Sequence, residues 1–389
     1  MAVMLAWGQV VWAQPAANGA AKRLAAANGL YQRGLHKLAA DEYATFLREY
    51  PAHPEAQTAR YAMAVCRYRL GEHAAAAEAV AVLVADATFA QRDEALAVLG
   101  HCHLALKQPD KAVAVFDELL AKYPQSRHAA AAVLNRAQVL YAGGKTAEAL
   151  AACEAYLRNY PDGASRDAAM YLMALCHNAL GRHGEVEKAL GELARAHPTS
   201  AYQHDAALLL GQALEAQKKF HAAVEQYRKS AAAAPTARQA EFRFSLAGAL
   251  HKAGRYDDAA RQCASLLAEF AGSAYAPAAR LQLGLSQLAA GKPDAARQTL
   301  EGVTRDDPRR ATVARYWLAQ CDIAQKKFDP ALATLDALLK QTPLPENAAT
   351  IAFDRAMCLL GLGRYDEAAG AFGEYRKQYG NAPQAAEAA

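Results

Sequence analysis

Apolar residues along this chain fall three and four positions apart, in runs that come in pairs. In SRDAAMYLMALCHNALG, Met170, Tyr171, Met173, Ala174, Leu175 and Ala179 crowd one run. Ser165 and Asp167 stand ahead of it as helix starters, and Gly181 stands behind as a stop. A second run, HGEVEKALGELARAH, carries Val186, Leu190 and Leu193 on one stripe and ends at Pro198. No segment sustains an alternation of period two, so strands are not expected. The predicted unit is a helix, a tight turn, a second helix and a proline-marked loop.

That unit repeats. Pro124, Pro161, Pro198 and Pro235 are 37 residues apart, Pro51 lies two such steps before Pro124, and Pro308 and Pro343 continue with small slips. Aligned on the turns, one first-helix position is always Ala or Gly: Ala27, Ala64, Gly100, Ala137, Ala174, Gly211, Ala247, Gly284, Ala319 and Ala356. Twelve residues later comes a second small residue, from Ala39 through Ala112 and Ala223 to Ala368, with Val186 the exception. Small residues at both places let the two helices of a hairpin cross closely. A further stripe position reads Tyr43, Val80, Phe116, Cys153, Leu190, Tyr227, Cys263, Leu300, Leu335 and Phe372. One hairpin cannot bury such a stripe alone, so stacking of repeats must build the core.

LGRYDEAAGAF at 362–372, with its glycine, Tyr365, Ala368 and Phe372, resembles the turn of the tetratricopeptide repeat family. KKFHAAVEQY, AGRYDDAARQC and QKKFDPALATL repeat it with Phe220, Tyr256 and Phe328. The family's tryptophan near the start of the first helix is missing, and the period is 35–37 in place of the usual 34. The resemblance spans residues 20–380 and implies an all-α fold, a right-handed α-solenoid of about ten helix-turn-helix repeats. It also implies a non-catalytic scaffold for protein–protein interaction. LREYPAHPEAQTARYAMAVCRYRLG and LRNYPDGASRDAAMYLMALCHNALG are similar to envelope repeat proteins of bacteria, of the Tol-Pal coordinator and outer-membrane assembly lipoprotein types.

At 389 residues the chain is too long for one compact core, which suits an array. Its 43 basic and 39 acidic residues are interspersed, with no Lys/Arg block, so charge implies neither nucleic acid nor a membrane surface as partner. Residues 1–13 read as a signal peptide lacking its basic start, with Val11 and Ala13 at the cleavage-site positions. An ordinary apolar tail is the alternative. Residues 14–19 read as a linker, and 381–389 as a tail or the start of a further repeat. A periplasmic or exported location follows from this reading, a cytoplasmic one from the alternative.

GHCHLAL at 100–106 suggests metal chemistry, but residues two apart on a helix point to nearly opposite sides, so His101 and His103 cannot close on one ion. Cys66, Cys102, Cys176, Cys321 and Cys358 all fall two residues after the small site, and Cys153 and Cys263 fall on the second-helix stripe. These are places for small apolar side chains. Neighbouring first helices lie about 8–10 Å apart, too far for Cys66–Cys102 or Cys321–Cys358 bridges. No phosphate loop, nucleophile elbow or HExxH motif occurs. No catalytic residue, metal or cofactor is assigned.

The resemblance places a partner-binding surface on the concave face, lined by first helices. The positions one, four and five past the small site give Asn28, Tyr31, Gln32, Tyr68, Arg69, Gln138, Tyr141, Asn178, Gln212, Glu215, His251 and Lys252. Tyr31, Tyr68 and Tyr141 share one register, as an aromatic stripe beside amides that suits a peptide or partner protein. In the C-terminal repeats the same positions turn apolar, with Leu285, Leu288, Ile323, Met357 and Leu360. A self-assembling component, homo-oligomeric through its terminal repeats, and a helical-repeat enzyme acting on envelope polymers are the other readings.

Overall fold

A computed structural model describes residues 19–382, 384, 386 and 387. The signal-peptide reading of 1–13 lies outside the described residues, as do most of the linker at 14–19 and part of the tail. The chain forms two compact units, Met1–Gly181 and Arg182–Ala389. The first holds α1 (Gly19–Gln32), α2 (His36–Glu49), α3 (Ala56–Arg69), α4 (His73–Ala85), α5 (Arg92–Ala105), α6 (Pro109–Lys122), α7 (Ala129–Ala142), α8 (Thr146–Asn159) and α9 (Arg166–Ala179). The second holds α10 (His183–Ala196), α11 (Gln203–Ala216), α12 (Phe220–Ala233), α13 (Thr236–Lys252), α14 (Tyr256–Glu269), α15 (Ala276–Ala289), α16 (Pro293–Asp306), α17 (Ala311–Ala324), α18 (Phe328–Leu339), α19 (Ala348–Gly361) and α20 (Tyr365–Tyr379). Among the described residues there is no strand.

Alanine-rich runs favour helix, and the turns between paired helices end each run the same way. Seven residues past the small site the backbone turns left-handed in every repeat. Glycine stands there seven times, as in Gly34 (φ 75°) and Gly144 (φ 78°), and lysine three times, at Lys107, Lys218 and Lys326. The next N–H then reaches back to an orphan carbonyl of the finished helix, as Leu35 N to Leu30 O (3.0 Å) and Gln108 N to His103 O (2.9 Å). Pro109 and Pro293 open α6 and α16 at the position where a missing N–H costs least.

All ten small first-helix sites are buried, and so are their second-helix counterparts twelve residues on. Within each unit every helix packs on its chain neighbours, while first helices also touch first helices: α3 on α5, α7 on α9, α11 on α13, α13 on α15 and α15 on α17. Each unit is therefore an α-solenoid. The stripe position behaves as predicted from Tyr43 to Leu335, each 1% exposed or less. Phe372 departs from it, since the ring is only half-buried, packed edge-on against Phe353 at 5.7 Å.

At three crossings a glycine makes room for the stripe residue. A Cβ on Gly100 would overlap the Phe116 ring, one on Gly211 would overlap Tyr227, and one on Gly284 would stand 2.8 Å from Leu300. Where the stripe residue is a compact cysteine, at Cys153 and Cys263, the facing site carries a methyl at Ala137 and Ala247.

Candidate functional site

The first-helix positions chosen from the sequence divide into those that meet solvent and those the fold uses for itself. In the first unit Gln32, Arg69 and Gln138 are exposed. Tyr31, Tyr68, Tyr141 and Asn178 are half-buried. Asn28 is buried, and its Oδ1 accepts a hydrogen bond from the Tyr43 hydroxyl at 2.7 Å, so its amide oxygen serves the hairpin rather than a groove. The Tyr31 ring lies 5.8 Å from His36, and the Arg69 guanidinium sits 5.9 Å from its centroid. Burial raises the Tyr31 pKa, with Arg69 opposing. Tyr68 repeats the arrangement one step along, 5.2 Å from His73, and meets His101 edge-on at 6.5 Å.

His101 sits at a groove register that the sequence reading passed over. Its Nδ1 lies 2.6 Å from the Ala97 carbonyl, so that nitrogen carries the proton, and Nε2 accepts from Asn135 Nδ2 at 3.1 Å. Burial lowers its pKa, against the Ala97 carbonyl bond, and so favours the neutral ring. His103 turns elsewhere, to Gln108 Oε1 at 2.9 Å. Among the described residues no three His, Cys, Asp or Glu side chains are grouped to hold a metal ion.

All seven cysteines are buried free thiols. Burial pushes Cys66, Cys102 and Cys263 up to about 12, and Cys321 and Cys358 up to about 11. These five are poor nucleophiles at neutral pH, whereas the hydrogen bond from Cys153 lowers the pKa of Cys176. Cys153 is raised as well, chiefly by a hydrogen bond to the Cys176 thiol and then by burial. That contact joins α8 to α9, a pairing that comparing first helices alone does not reveal.

In the second unit Gln212 and Lys252 are exposed. Glu215 is ion-paired with Lys252 one repeat away and hydrogen-bonded to the Tyr227 hydroxyl. His251 meets Ser286 Oγ at 3.1 Å and lies 5.1 Å from the Tyr256 ring, with its pKa lowered by burial. Asp354 was missed. Its Oδ2 accepts from the Tyr316 hydroxyl at 2.9 Å and from Gln320 Nε2 at 2.6 Å, and burial raises its pKa against those bonds. The available signal was register: Asn135 and Asp354 both stand two residues before the small site, and both bond to the preceding first helix. Beside Asp354 the apolar positions stay open to solvent, Met357 at 43% and Leu360 at 42%, while Leu285, Leu288 and Ile323 are half-buried.

Within each unit these side chains link neighbouring first helices laterally, beside exposed amides, cations and apolar groups. No helix among the described residues is long and apolar enough to cross a membrane.

Comparison with known proteins follows the same lines. An outer membrane lipoprotein family model matches residues 91–186. No curated protein matches. Among solved structures, a tetratricopeptide repeat protein from Parabacteroides merdae is 14% identical over 69% of this chain and 98% of that one, with a TM-score of 0.46. YrrB, described as a TPR protein with an unusual peptide-binding site, is 17% identical over 55% of this chain and 97% of that one, at 0.42. The Cut9-Hcn1 hetero-tetramer of APC/C gives 14% identity over 94% and 88%, also at 0.42. One tetratricopeptide repeat model matches residues 24–90, 208–274 and 322–386, just over half of the chain, and a second matches 250–314 and 287–352. With one of these models alone matching just over half of the chain, and the pair leaving only residues 91–207 between them unmatched, the chain belongs to the tetratricopeptide repeat family.

Proposed function

We propose that this protein is a non-catalytic interaction scaffold of the bacterial cell envelope that holds a peptide or partner protein on the concave face of its first helices. The fold supports the coarse part of this reading, a scaffold for protein–protein interaction. The observation that carries the finer part is the first-unit register of half-buried Tyr31, Tyr68 and Tyr141 beside exposed Gln32, Arg69 and Gln138. Flat rings already braced by His36, His73 and Arg69 lose little rotamer freedom when covered, and the amides beside them offer directional bonds to a peptide backbone. Asn178, Gln212, Glu215, His251 and Lys252 extend the surface within their own units, whereas Asn28 supports it from beneath. The envelope assignment is supported by the lipoprotein family match at 91–186 and by the apolar N-terminal run.

Pull-down of partners by the native protein against a Tyr31→Ala/Tyr68→Ala/Tyr141→Ala variant tests the surface. Partner recovery is expected to fall while the variant keeps its helical circular dichroism. Equal recovery by a folded variant overturns the reading. Mass spectrometry of the mature N-terminus tests export, with a start at or near Gln14 expected and an intact Met1 against it.

A further inference from the structure

Three successive helices of the second unit, α10, α11 and α12, each lack bulk at a place where other repeats keep it. Ala194 of α10 stands at the register of Leu47, Leu120, Leu157 and Leu267. Ala207 of α11 stands at a register that holds arginine in five repeats, as in Arg23 and Arg280, and Leu96 and Met170 in two others. Ser230 of α12 stands at that of Phe46, Leu119, Tyr156 and Tyr375. The three meet, and a cavity of about 350 Å³ opens between α10, α11 and α12, away from the first-helix groove positions. Ser230 does not fill it, since its Oγ is turned back to the Gln226 carbonyl at 2.9 Å.

The walls have a distinct chemistry. Leu190, Leu193 and Leu210 give an apolar floor, and His197, His204 and Gln203 edge it. His197 Nε2 is buried and has no hydrogen-bond partner, which is costly unless something supplies one. By contrast, the cavities beside Arg280 and Arg355 are rimmed by arginines already held in ion pairs with Asp306 and Asp336.

The geometry points to this cavity as a binding socket for a phenolic ring. The volume lies within the range of small-ligand sites, roughly 300–1,000 Å³, and exceeds the roughly 150 Å³ that accommodates benzene. The fold itself places a phenol at the truncated register, where Tyr156 and Tyr375 are buried to 2% and 1% exposure. A ring entering from outside replaces the missing bulk, and a turn of the His197 ring at the cavity edge brings the unpartnered Nε2 to its hydroxyl. The socket is separate from the groove, so its occupancy does not depend on the scaffold reading.

The test uses the full chain with p-cresol and N-acetyltyrosinamide as probes, and toluene as the ring without a hydroxyl. Saturable binding of p-cresol is expected by ligand-observed NMR, with Kd on the order of millimolar for so small a ligand. Ser230→Leu restores the usual side chain and should melt no lower than the parent while weakening p-cresol by about tenfold or more. Ala207→Leu fills the cavity from the opposite wall and serves if Ser230→Leu does not fold. His197→Phe should erase the preference for p-cresol over toluene. Binding of N-acetyltyrosinamide as well marks a tyrosine on a partner protein as the natural occupant, and binding of p-cresol alone marks a free phenol. Absence of saturable p-cresol binding, or equal affinity in a folded filled variant, overturns the proposal.

Discussion

The hairpins α5/α6 and α7/α8 solve one packing problem in opposite ways. In the first, Phe116 fills the crossing and Gly100 gives up its side chain for it. In the second, Cys153 is small and Ala137 keeps a methyl. Phe116 and Cys153 are both fully buried, so each crossing is closed by its own pair of side chains. An interior packed as densely as an organic crystal leaves little void or overlap at either one.

The comparison can be broken most severely from the aromatic side. Phe116→Ala leaves a void facing a glycine that cannot refill it, and thermal or chemical unfolding should register a loss of about 3–5 kcal/mol. Phe372→Ala should cost less, because the last stripe residue is half-buried. A smaller effect comes from Gly100→Ala. The added methyl meets the Phe116 ring, and overpacking of about 1–3 kcal/mol outweighs the helix-propensity gain of up to about 1 kcal/mol. Adding Phe116→Cys converts the crossing to the α7/α8 solution, so the pair should be less damaging than the sum of its members; strict additivity would mean the two residues do not share a volume.

A pH titration sharpens the contrast further, since the Phe116 ring also packs edge-on against His101 at 5.9 Å. Burial lowers the His101 pKa, so the unfolded chain binds the proton first. Its stabilising contribution is therefore complete above its ordinary value of 6.5 and is lost as pH falls below it. His101→Gln should flatten that part of the stability profile, measured by denaturant unfolding between pH 7 and pH 5. The smallest expected effect lies in the turns that follow the two first helices. Lys107 is left-handed where the other hairpin has Gly144, and Lys107→Gly should raise stability by up to about 1 kcal/mol, visible as a higher denaturant midpoint. A loss would mean the lysine side chain does more in the turn than occupy it.

The repeat was legible because its evidence is one-dimensional. Small sites, stripe residues and turn glycines recur at fixed intervals, and a helix converts interval into direction. Gly181 announced a turn, and it has φ 69°. The candidate surface was legible only in angle. Periodicity put Asn28 and Gln32 on related sides of α1, but only three-dimensional packing decides that Tyr43 reaches across to Asn28 while Gln32 stays exposed. His101 with Asn135, Asp354 with Gln320, and Cys153 with Cys176 each join different repeats. Such pairs depend on how neighbouring helices are offset, which no single-helix period contains. The socket at Ser230 was hidden for another reason: a missing side chain is conspicuous only once ten registers are compared.

The fit of side chains at these two crossings also bears on how such a chain can be inherited. Gly100 and Phe116 lie in the same hairpin, as do Ala137 and Cys153, so a breakpoint in the proline loops copies or deletes each matched pair intact. A breakpoint in the left-handed turn would join the helix of Gly100 to that of Cys153 and leave a hole at the crossing. Duplication of whole hairpins is the exchange that keeps each crossing filled. Arrays of this type can lengthen by ancestry while each crossing keeps its own idiosyncratic fit.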